Sequence, residues 1–109
     1  MRVIARRTLL NFVATRRGRT DHAALKTATD AWFHEAKKAT WANMAEIKAL
    51  YHTASPVTAK RVVFNIKGND YRLVVEINFR KQIIWIKWFG THADYNEIDV
   101  KEVKYVKRR

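Results

Sequence analysis

The chain has 109 residues, 48% of them hydrophobic and 12% aromatic, which is enough to bury one core and leaves no room for a second large domain. Lys and Arg number 22 against 10 Asp and Glu, a net charge of +12, so a polyanion is the natural partner and nucleic acid is favoured over neutral small molecules. The chain has no cysteine, which excludes a disulfide framework, a thiolate metal site and a thiol nucleophile. The same charge also suits an acidic protein, an anionic membrane surface or plain solubility. The apolar piece at Leu9-Leu10 is too short for a signal peptide. No run approaches the roughly 18 apolar residues of a membrane span. The expectation is one domain over residues 1–109, in the cytoplasm.

Val3-Ile4-Ala5 reads as a short first strand, and Thr8 as the N-cap of a helix to about Thr15 with Leu9, Leu10 and Val13 on its apolar side. Thr20 or Asp21 caps a second helix, whose Leu25, Ala28, Trp32 and Ala36 recur at helical spacing beside Phe33. Lys37 and Lys38 sit favourably in its last turn. Asn43 opens a short third helix carrying Ile47 and Leu50, which must stop ahead of Pro56. Beyond Pro56 the period becomes two. Val62, Phe64 and Ile66 alternate with Arg61, Val63, Asn65 and Lys67, a half-buried strand. Lys67-Gly68-Asn69-Asp70 supplies hairpin turn chemistry. The next strand sets Leu73, Val75, Ile77 and Phe79 against Arg72, Val74, Glu76 and Asn78. After a tight connection at 80–82, the segment 83–89 is apolar on both sides and reads as the best covered strand. The order predicts an α+β fold, with the N-terminal helices packed on the Leu73/Val75/Ile77 face of a small antiparallel β-sheet. The tail from Lys101 to Arg109 reads as a last short strand or a basic arm.

On this alternation the sheet face away from the helices presents Arg61, Asn65, Lys67 and Arg72, joined by Lys87 if the third strand keeps register. Cations converging there can hold a phosphodiester and stabilise the extra charge of a pentacoordinate transition state. Arg72 is the best suited, because a planar guanidinium grips two phosphate oxygens at once. Taken singly, each of these residues also fits an ordinary solvated strand face. His92 follows the last strand within Gly90-Thr91-His92-Ala93-Asp94-Tyr95, where it can be aimed over the same face and transfer protons near neutral pH. Tyr95 can stack on a base, donate to phosphate or order the histidine. The competing reading makes His92 and Tyr95 capping and packing groups, with Thr91 or Asp94 as a helix cap.

Other chemistries lack their parts. His22, His34 and His52 have no metal-ligand spacing, so no metal is expected. Gly18, Gly68 and Gly90 are the only glycines and make no phosphate loop. Ser55, the only serine, lies between Ala54 and Pro56 rather than in a nucleophile elbow. Trp32, Trp85 and Trp88 read as core, and Trp41, in a connection, is left open.

The runs 37–41, Arg61-Val62-Val63-Phe64-Asn65-Ile66-Lys67-Gly68-Asn69-Asp70-Tyr71-Arg72-Leu73-Val74 and Gly90-Thr91-His92-Ala93-Asp94-Tyr95, with Ile98-Asp99 nearby, resemble a HigB-type toxin of type II toxin–antitoxin modules. The resemblance extends over about residues 2–100. It implies the RelE/ParE-like α+β fold, no cofactor, neutralisation by a HigA-type antitoxin, and endoribonuclease action on mRNA, usually on the ribosome. It further implies metal-independent cleavage by 2′-hydroxyl attack and so inhibition of translation. Carried onto this chain, Arg72 stabilises the phosphate, His92 is a general acid or base, and Tyr95 orients or stacks. Arg61, Asn65, Lys67 and Lys87 are the candidate RNA contacts. Two other functions fit the same residues: ParE-like inhibition of DNA gyrase on the same fold, and noncatalytic binding of RNA.

Overall fold

The computed structural model describes residues 1–104. In chain order it has strand β1 (Arg2–Ile4), helices α1 (Arg6–Thr15), α2 (His22–Lys38) and α3 (Met44–Leu50), strands β2 (Ser55–Pro56), β3 (Arg61–Ile66), β4 (Tyr71–Asn78) and β5 (Ile83–Thr91), and helix α4 (His92–Tyr95). The strands form one sheet in the order β1-β5-β4-β3-β2. It is an α+β architecture, as expected. The sheet is mixed rather than purely antiparallel, because β1 runs parallel to β5, with Arg2 opposite Ile83 and Ile4 opposite Trp85. That parallel pairing holds the chain as far as Ile4, so it must turn at Ala5. The helix accordingly starts at Arg6 instead of behind Thr8, with Ala5 in the left-handed region (φ 73°) and no side-chain cap.

The helical face of the sheet is the core. Val62, Phe64 and Ile66 of β3, Leu73, Val75 and Ile77 of β4 and Ile84, Ile86 and Phe89 of β5 are buried there with Leu9, Leu25, Trp32, Ala36 and Ile47 from the helices. This is the packing that the period-two and helical stripes predict. Asn43 caps α3 through its side chain, which accepts a hydrogen bond from the Glu46 N–H. Leu10 of α1 and Leu50 of α3 depart from their expected places and are exposed apolar residues. Trp41, in the connection, is buried and stacks on Phe64, with ring centroids 6.3 Å apart. Pro56 sits in a two-residue edge strand, where a missing N–H costs no ladder bond.

A β-bulge in β5 decides what lies on the other face. Val75 pairs with Ile86 but Val74 pairs with Trp88, so Lys87 is the extra residue. Strict alternation would set Phe89 on the side of Trp85. The inserted residue instead returns Phe89 to the core beneath Phe12, whose ring centroid is 4.8 Å away, and sends Trp88 to the outer face. Part of that outer face is covered, because the segment after α4 runs back across it and lays the carbonyls of Val100 and Val103 on Arg61. The expected tail continues into residues 105–109, which lie outside the described residues. No helix among the described residues is long and apolar enough to cross a membrane.

Candidate functional site

Arg72 and His92 meet at one end of the outer face. Arg72 lies in β4 opposite Gly90 of β5, and His92 is the first residue of α4 immediately beyond that strand. Thr91 caps the helix by accepting from the Asp94 N–H at 3.1 Å, and the His92 N–H donates to the Asp70 carbonyl at 2.9 Å. Strand end, cap and hairpin turn therefore fix the histidine backbone from three sides. The Arg72 guanidinium is held in turn by Asn69. Nη1 donates to the Asn69 carbonyl at 3.0 Å and to the Tyr71 carbonyl at 3.4 Å, and Nη2 donates to Asn69 Oδ1 at 2.7 Å. The same Nη2 lies 3.4 Å from His92 Nε2. A guanidinium carries only donors, so a hydrogen bond here is accepted by His92 Nε2, in the tautomer that keeps its proton on Nδ1. The Tyr95 ring completes the group, with its centroid 5.9 Å from the Arg72 guanidinium carbon.

The turn that carries Asn69 and Asp70 is itself clamped. Lys67 and Gly68 both take positive φ, 54° and 63°, which swings the Lys67 side chain away from the strand alternation. Lys67 therefore leaves the outer face, where it was expected. Its ammonium pairs with Asp70 at 2.7 Å and lies 3.9 Å from Asp21 at the start of α2. Asp21 also accepts from the buried Tyr71 hydroxyl at 2.6 Å, while Arg16 donates to that hydroxyl at 3.4 Å. The Tyr71 hydrogen bond, helped by the charges of Lys67 and Arg16, holds the Asp21 carboxyl below its ordinary value of 3.8. Burial and the bond to Asp21 push the Tyr71 hydroxyl up. A depressed carboxylate stabilises the fold in full above its unfolded value and loses that contribution as the pH falls through the folded one. Asp21→Asn should therefore flatten the fall in melting temperature below about pH 4, where the parent loses its Asp21 contribution. Parallel melts of the two proteins between pH 6 and 2.5 check this.

Arg61 is the other basic residue that the structure takes out of the expected RNA surface. It is a buried charged residue, its Nε 3.1 Å from Glu76 Oε1 and its Nη1 donating to the carbonyls of Val100 at 3.1 Å and Val103 at 2.7 Å. These partners leave the guanidinium committed to holding the returning segment on the sheet. Arg61→Met should cost about 2 kcal/mol of stability, because it strands Glu76 and two carbonyls; parallel urea unfolding of the two proteins checks this. Lys87 occupies the bulge, and Asn65 is half-buried opposite Arg72. Of the expected site residues, Arg72, His92 and Tyr95 are brought together, with Asn65 the cross-strand partner of Arg72. Among the described residues no group of three or more His, Asp or Glu could hold a metal ion.

Two neighbours of this group were not expected in the site, and one of them, Trp88, was expected in the core. Asn69 is one, a turn residue whose amide is aimed at Arg72. Trp88 is the other, half-buried on the outer face with its ring centroid 6.2 Å from that of Tyr95.

The family model for HigB toxins, the RelE-like toxic component of a toxin–antitoxin system, matches residues 25–98. The chain belongs to this family. The match runs from within α2 to beyond α4, so it includes Arg72, His92 and Tyr95. A search of curated proteins gave no match. As a HigB toxin the chain is the toxic half of a two-protein module, and an antitoxin is its partner.

Proposed function

We propose that this HigB toxin is a metal-independent endoribonuclease that cuts mRNA, on the ribosome, and so stops translation. The observation that carries the reading is the Arg72–His92 contact, with Nη2 3.4 Å from Nε2. It sets a phosphate ligand beside a proton acceptor, the pair that in-line attack by a ribose 2′-hydroxyl requires. The bound phosphate draws Arg72 Nη2 off Nε2; the 2′-oxygen then gives its proton to the freed His92 Nε2 and bonds to phosphorus, and the bond to the 5′-oxygen breaks. That oxygen leaves with a proton from water. The products are a 2′,3′-cyclic phosphate and a 5′-hydroxyl. Arg72, already gripped by Asn69, meets the charge that grows on the phosphoryl oxygens without having to reorganise. Tyr95 flanks the guanidinium and orients the substrate.

The net charge of +12 supports a polyanionic substrate and, equally, an antitoxin of acidic surface. The reaction takes place in the cytoplasm, where translating ribosomes are. Primer extension on mRNA incubated with the protein, with and without ribosomes, tests the reading. New 5′ ends that depend on the wild-type protein support cleavage, and their dependence on ribosomes identifies the substrate. Toxic, folded protein that leaves every transcript intact overturns it.

A further inference from the structure

Trp88 is the large side chain of this site that the cleavage chemistry leaves unused. Its indole lies against Gly90. A Cβ added at Gly90 would fall 2.5 Å from Trp88 Cη2 and 2.6 Å from Cζ2, so the ring is seated where only a glycine permits it. Gly90 is the cross-strand partner of Arg72, so the indole extends along β5 toward that residue's backbone, and Tyr95, whose ring centroid is 5.9 Å from the guanidinium carbon, links the two. On its other border it meets Tyr95, the two rings inclined at 53° with centroids 6.2 Å apart. Ile84, Ile86 and Phe89 of the same strand fill the core on the other face, and Trp88 covers its buried cross-strand partner Val74 with only part of its surface. The bulge at Lys87 turns Trp88 to the outer face, half-exposed, and puts an apolar surface on the same face as Arg72, with Tyr95 between them. Aromatic faces beside backbone-binding cations are how proteins hold single-stranded bases.

We infer that Trp88, seated on Gly90, is a stacking platform for the nucleobase next to the phosphate held by Arg72. The inference rests on the RNA-cleavage reading and adds a base-binding subsite to it. The ligand is an unpaired nucleobase, and Tyr95 closes the same wedge from the side of α4. Gly90 is then part of the site through its missing side chain: Gly90→Ala keeps the indole but lifts it off its seat, with the far end of one side chain as the only group that must move.

The test uses the wild-type protein and fully 2′-O-methylated RNA oligonucleotides, which cannot be cut, each carrying one 2-aminopurine at a different position. Stacking quenches that base. Binding to wild type should quench the probe at one position, Trp88→Ala should bind about tenfold more weakly and lose the quench, and Gly90→Ala should do the same. Trp88→Phe, which keeps an aromatic face, should recover part of both. Cut sites mapped on natural mRNA should spread to more sequences in Trp88→Ala than in wild type. If Trp88→Ala binds and quenches as wild type does while wild type cuts RNA, the platform is wrong and the cleavage reading stands. If wild type neither binds the oligonucleotides nor cuts mRNA, both fall.

Discussion

His92→Gln is expected to slow RNA cleavage by about 100- to 10,000-fold, the range that a positioned acid or base contributes, while the protein melts within a few degrees of the parent. The backbone of His92 is what the fold uses. Its N–H donates to the Asp70 carbonyl and its φ, ψ belong to α4, whose cap is the Thr91 hydroxyl. None of these contacts involves the imidazole, so glutamine keeps them. The amide oxygen of glutamine can still accept from Arg72, so the arginine keeps a partner. What glutamine cannot do is take up the 2′-hydroxyl proton. Growth inhibition on expression should disappear with the activity, and the purified variant should still bind RNA. Cleavage at the parental rate by His92→Gln would remove the imidazole from the chemistry and return it to a capping role.

The helices and three long strands were legible in the sequence because each carries a continuous period. Leu25, Trp32 and Ala36 mark one stripe of α2, and Val62/Phe64/Ile66 with Leu73/Val75/Ile77 mark one sheet face. That Arg72 and His92 would come together was legible as well, since both lie at neighbouring strand ends on one face. What stayed hidden depends on departures from period. The bulge at Lys87 shifts the face of Trp88 and Phe89 in a segment that is apolar on both sides, where alternation holds no information about which side is core. Positive φ at Lys67 removes its side chain from a face that strict alternation assigns it to. Arg61 is concealed differently: its place on the outer face is as expected, but a segment some 40 residues later covers it, and local pattern cannot report such a contact. The parallel strand β1 was read as a strand, while its partner β5 is chosen by tertiary packing alone.

Arg72→Ala is expected to lower cleavage by about 100- to 1,000-fold, the loss that follows removal of one preorganised group from a developing oxyanion. Arg72→Lys should recover only part of it. Lysine keeps the charge, but it has no planar fork to hold phosphate oxygens while its other nitrogens stay bonded to the Asn69 carbonyl and amide. The distribution of the loss matters more than its size. A guanidinium that serves mainly to attract RNA affects binding, so its removal raises KM and leaves kcat alone; one that meets charge appearing only in the transition state lowers kcat. The fixed geometry favours the second. Asn69 pins the guanidinium in place before any RNA arrives, and it sits against the histidine instead of reaching into solvent. Asn69→Ala then provides the internal control, since it leaves the charge of Arg72 and frees only its orientation. Its defect should be smaller, should appear in kcat, and should not add to that of Arg72→Ala, because two residues acting through one guanidinium cannot be lost twice. Additive defects in the double variant would separate Asn69 from Arg72 and require the turn to act on the substrate by another route.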